Sequence, residues 1–144
     1  MLSQEAQRKI ESVDREQTEQ RVRRLFERWS AGDVESLVAC IAPDATLTAL
    51  GGWTGLGAPL RGREALARHL RKYARALEII VTIMHEIVID GDRVVAHRTS
   101  VGRRRSDGRR YQCDFITFLR FRDGLIVEFT DYPDAAWRDV EPAV

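Results

Sequence analysis

The sequence predicts an α+β fold, with helices gathered towards the N-terminus and packed over one face of an antiparallel sheet. Two observations carry this. Apolar residues recur with a period near 3.6 up to about residue 77 and with a period of two after it. Asp90-Gly91-Asp92, Ser106-Asp107-Gly108 and Asp123-Gly124 then cut the second half into four runs that read as a meander. Helices followed by consecutive strands belong to the α+β class.

Residues 1–16 are polar and helix-prone, an extension ahead of a single domain over 17–140. From Thr18 the pattern sharpens. Val22, Leu25, Phe26 and Trp29 fall on one face of a helix that Ala31-Gly32 ends. Asp33 is the N-cap of a second helix with Val34, Leu37, Val38 and Ile41 as its buried face. Pro43-Asp44 ends that helix, and residues 45–50 read as a short strand. GGWTGLGAPLRG is a loop, because its glycines and proline oppose regular structure. A third helix over 63–76 carries Leu66, Leu70, Tyr73 and Leu77 on one side. Strands follow over 78–89, 93–104, 109–122 and 125–132.

A net charge of +1 creates no global field towards nucleic acid or anionic membrane. Arg103-Arg104-Arg105 and Arg109-Arg110 flank a turn, interleaved only by Tyr111, and read as a solvated hairpin tip. Two cysteines, Cys40 and Cys113, do not make a disulfide framework. The opening residues are charged without an apolar core, unlike a secretory signal, and no apolar run approaches the ~20 residues of a bilayer span. The expected location is the cytoplasm.

Site candidates start from the last strand. If Phe129 points into an apolar interior, Asp131 points the same way. A carboxylate aimed there is costly unless paired or used. Arg98 shares a face with Ala96 and Ser100, and an inward Arg98 would form a bidentate pair with Asp131. The pair could serve catalysis or simply bridge the pocket. Cys113, Phe115, Thr117, Leu119 and Phe121 alternate along the preceding strand, which puts Cys113, Phe115 and Thr117 on the pocket side and Asp114 outside. Cys113 reads first as a small packed side chain. His85, among Ile83, Ile87 and Ile89, is either a core histidine or a proton-transfer group facing the pocket. His69 and His97 are weaker candidates, and three scattered histidines give no metal signature. Trp29, Trp53 and Tyr73 surround the expected pocket mouth, with Trp53 suited to a lid.

The segments SAGDVESLVACIAPDAT, LRGREALARHL and GRRYQCDFITFLRFRDGLIVEFTDYPD resemble the SnoaL-like branch of the nuclear transport factor 2-like superfamily, over about residues 18–137. The resemblance implies a cystatin-like cone, a curved sheet wrapped by three helices around a pocket, and a homodimer through the outer sheet face near Ile116 and Phe118. Ketosteroid isomerases of this fold use a base, an oxyanion tyrosine and a protonated acid, which fall here at Ala49, Leu25 and Thr117. Limonene epoxide hydrolases match better. Their middle-strand and last-strand motifs correspond to His97-Arg98-Thr99-Ser100 and Thr130-Asp131-Tyr132-Pro133-Asp134, which makes Asp131 the base and Arg98 the bridging arginine. Their second acid falls at Ser100, and their water-holding residues at Leu47 and Ala49. The expectation is acid–base chemistry on a small, mostly apolar substrate with no metal or organic cofactor. The alternative is a non-catalytic small-molecule binder.

Overall fold

In the computed structural model, which describes residues 1–49 and 59–136, the first helix is longer than its apolar stripe. Helix α1 spans Gln4–Ser30, capped by the Ser3 hydroxyl, which accepts from the Ala6 amide at 3.1 Å. Only Val22, Leu25 and Phe26 are buried, so the first half projects with Ile10 and Val13 exposed.

Helix α2 is shorter than predicted, Val34–Val38, and Ile41 opens strand β1 (Ile41–Ala49) instead of closing the helix. The Ile126 amide donates to the Cys40 carbonyl at 2.8 Å, which draws the chain into the sheet ahead of Pro43. The β1 register slips between Ile41 and Thr46, so the proline, which has no N–H, sits where the ladder is already interrupted. Strand β2 (Leu60–Arg61) lies at the end of the expected loop and pairs with Thr46 and Leu47. Two residues are too few for any periodicity to reveal. Helix α3 (Arg63–Ala76) has the predicted bounds.

Strands β3 (Leu77–Asp90), β4 (Arg93–Arg104), β5 (Arg110–Arg122) and β6 (Leu125–Pro133) form the meander. The curved, open sheet runs β2-β1-β6-β5-β4-β3, all antiparallel except β1 beside β6. Asp123 and Gly124 both have positive φ, 52° and 76°, as a type I′ hairpin turn requires. Along β5 the alternation is unbroken: Tyr111, Cys113, Phe115, Thr117, Leu119 and Phe121 are buried. Strand β3 is different, because its register shifts between Ile79 and Val81 and again between Met84 and Glu86. Each bulge reverses the in–out parity.

The inner sheet face packs under α1 through Val22, Leu25, Phe26, Val94, Leu119 and Ile126. A second cluster joins Tyr73 of α3 to Leu77, Tyr111, Cys113 and Phe115. Both cysteines are free thiols. Among the described residues no helix is long and apolar enough to cross a membrane.

Candidate functional site

Three neighbouring strands bring the polar floor together. Arg98 on β4 faces Phe115 on β5, and Thr117 on β5 faces Asp131 on β6. Arg98 Nη2 lies 3.0 Å from Asp131 Oδ2 and 3.3 Å from Oδ1, and Nε donates to Thr117 Oγ1 at 3.0 Å. Thr117, fully buried, passes its single proton on to Asp131 Oδ1 at 2.6 Å. The expected two-nitrogen fork is therefore not formed. One guanidinium nitrogen meets both carboxylate oxygens, while Nε is held by the threonine. The side chains of Arg98 and Asp131 are 5% and 19% exposed, which makes the pair buried at its base and open at its tip. The guanidinium carbon sits 4.6 Å from the Phe26 ring centre and 4.1 Å from that of Phe115, a cation held between two aromatic faces.

Asp131 opens into a cavity of about 110 Å³ whose wall is otherwise mainly apolar, from Leu25, Phe26, Leu47, Leu70, Ile79 and Phe129. That volume is below the ~150 Å³ of an apolar cavity that takes up benzene.

Of the predicted site residues, Trp29, Tyr73, Arg98, Ser100, Phe115, Phe129 and Asp131 all line this cavity. Thr117 supports the floor from behind. Cys113 is fully buried without lining the cavity, because parity gives its side of the sheet but not its depth. Its thiol donates to Asp134 Oδ1 at 3.2 Å. Burial, reinforced by that carboxylate, pushes the thiol up to about 12, so it is inert at neutral pH. His85 is on the outer face, exposed, and not in the pocket. The bulge between Met84 and Glu86 sends Ile87 and Ile89 inward and His85 outward. Trp53 lies outside the described residues.

Two further ionisable residues line the cavity, one a weak candidate from the sequence and the other unforeseen by it. His69 on α3 tilts against Tyr73, ring centres 4.6 Å apart, and burial, helped by Lys72, lowers it from 6.5 to about 4. A histidine that is neutral when folded and free to charge when unfolded contributes stability fully present above about pH 6.5. That contribution falls between 6.5 and about 4 as the unfolded chain takes up the extra proton. Denaturant titrations should show this loss, His69→Gln should flatten it, and the His69 ring should titrate near 4 by NMR; a midpoint near 6.5 would contradict it.

The other is Tyr111, which lies opposite Gly102 in the β4–β5 ladder. A Cβ on Gly102 would collide with the Glu78 carbonyl oxygen and come 2.7 Å from Tyr111 Oη. The glycine thus leaves room for the phenol to cross β4 and meet Ser100 Oγ at 3.2 Å. Burial raises Tyr111 above its ordinary value, so it is a protonated donor on the cavity wall. On the outer face, Thr99 Oγ1 lies 2.6 Å from His85 Nε2 and donates to Asp114 Oδ1 at 2.5 Å. The Thr99 hydroxyl first, and His97 after it, hold the Asp114 carboxyl below its ordinary value.

The family model for the SnoaL-like domain matches residues 22–129, most of the chain. The chain belongs to the SnoaL-like domain family. No curated protein matches it. Among solved structures, this SnoaL-like chain is similar to a nuclear transport factor 2-like protein from Burkholderia xenovorans, at 28% identity and TM-score 0.69, covering 85% of this chain and 94% of that one. A candidate isomerase from Bacillus subtilis superposes with TM-score 0.79 at 17% identity, covering 88% and 94%. A limonene-epoxide-hydrolase-like enzyme from M. tuberculosis gives 0.69 at 20%, covering 84% and 86%. The last two likenesses establish the fold of the SnoaL-like chain, not its reaction.

Proposed function

We propose that the protein is an acid–base enzyme that moves a proton on a small, mostly apolar carbonyl compound, as an isomerase or cyclase does. The observation that carries this is the Arg98–Thr117–Asp131 cluster opening into an apolar cavity. Among the described residues Asp131 Oδ1 accepts from two donors and Oδ2 from one, which leaves Oδ2 the better placed to take a proton from substrate carbon. The carboxyl then returns that proton at a second carbon, so nothing but the substrate is consumed. Arg98 holds the carboxylate in place. The neutral Tyr111 phenol, set by Ser100, supplies a hydrogen bond to the enolate oxygen in place of the missing acid at Ser100.

Epoxide opening is the less favoured chemistry on the same residues. Leu47 lines the cavity where a water-holding hydroxyl would stand, so the attacking water lacks its seat. The same leucine, together with serine at position 100, supports the second reading, a binder that retains a small apolar ligand unchanged. A panel of enolisable ketones and epoxides, screened with Tyr111→Phe, separates these. Loss of a single oxyanion donor lowers the rate by about 10²–10³-fold. Ketone turnover that falls on this scale supports the enzyme. Undiminished turnover removes Tyr111 from the mechanism, and binding without turnover in the parent favours the binder.

Two copies meet, in this reading, through the outer sheet face. Supporting it, Ile83, Val88, Ile116 and Tyr132 are 44%, 53%, 41% and 46% exposed there, more apolar surface than a lone sheet face comfortably leaves in water. Sedimentation should report a dimer that Ile116→Glu dissociates; a monomeric parent would refute this.

A further inference from the structure

The three histidines look unrelated along the sequence, yet strand register brings two of them together. The β3 bulge turns His85 to the outer face beside β4, where His97 and Thr99 also point outward. Asp114 on β5 is the ladder partner of Thr99. The His85 and His97 rings stand 4.6 Å apart, and His97 Nε2 is 3.5 Å from Asp114 Oδ2. One ligand atom from each of His85, His97 and Asp114 falls within 4.8 Å of the other two.

We propose that His85, His97 and Asp114 bind a divalent first-row transition ion of the zinc class on the outer sheet face, apart from the cavity. Bonds of about 2.0–2.1 Å to a tetrahedral ion set neighbouring ligand atoms about 3.4 Å apart. The His97–Asp114 pair already has that spacing, and the His85 ligand atom lies within 4.8 Å of both, so it has only to draw closer. Two imidazoles and one carboxylate suit zinc and its neighbours; magnesium and calcium prefer all-oxygen sites. Thr99, 4% exposed, braces Asp114 and His85 at once, as an outer-shell group orients ligands. The ion pairing agrees. Among the described residues every other ion pair uses arginine, whereas Asp114 pairs only with a histidine, so no fixed cation competes for the carboxylate. Three protein ligands leave one position for water or for a group of a second copy.

Calorimetric titration of the whole chain with zinc chloride tests this, with magnesium chloride as the control. Zinc is expected to bind at one ion per chain, or one per two chains if copies share it, with no comparable uptake of magnesium. His85→Gln, His97→Gln and Asp114→Asn should each weaken zinc at least tenfold, whereas His69→Gln and Cys40→Ser leave it unchanged. Independently of any variant, cobalt(II) added to the parent should broaden the His85 and His97 ring signals in NMR and spare His69. Zinc affinity indifferent to all three ligand substitutions, or cobalt that leaves both rings sharp, would overturn the proposal.

Discussion

Asp131→Asn should lose about 10²–10⁴-fold in turnover while still binding ligand, because it removes the proton acceptor; it also leaves Arg98 without its counter-charge, so its stability is measured alongside. The amide keeps the size of the carboxylate, and its oxygen can still accept from Thr117. It cannot take a proton from carbon. The amide nitrogen, moreover, would have to face Arg98 Nη2, now 3.0 Å from an oxygen, or turn away from it. Initial rates measured beside calorimetric binding separate lost chemistry from lost affinity. A variant as fast as the parent would remove Asp131 from the catalytic role.

Arg98→Met should lower stability by about 3–5 kcal/mol, since breaking a buried ion pair strands the remaining charge. That corresponds to a drop in Tm on the order of 10 °C for a domain of this size. Methionine can still fill the slot between Phe26 and Phe115, so the cost falls mainly on the orphaned carboxylate of Asp131. The double variant Arg98→Met/Asp131→Leu should regain most of the loss, because an apolar replacement for such a pair is often neutral. Denaturant melts of the three proteins decide the matter. A single variant as stable as the parent would mean that the pair contributes nothing to the fold.

Where periodicity is clean the sequence was a good guide, and it failed where backbone geometry breaks the count. Strand β4 and helix α3 have the bounds their patterns implied, unbroken alternation in β5 put Phe115 and Thr117 on the inner face, and Phe129 and Asp131, beyond the irregularity in β6, share it. Arg98 and Asp131 were legible as partners from parity alone. His85 was not, since a single extra residue in β3 reverses every later side chain. Pro43 reads as a terminator that leaves Ile41 at the end of a helix, yet the proline sits inside an interrupted strand that Ile41 opens. Tyr111 was hidden among the arginines of a hairpin tip. The available clue was Gly102, a glycine in mid-strand opposite an aromatic residue, which marks a close approach.

The arginine wedged between Phe26 and Phe115 has a consequence for how the molecule comes into being. Phe26 belongs to α1 and the carboxylate partner of the arginine to β6, far apart along the chain. The chamber floor therefore closes only once β6 has joined the sheet. Such distant pairings slow the search for the native state, so this floor is expected among the late contacts to form.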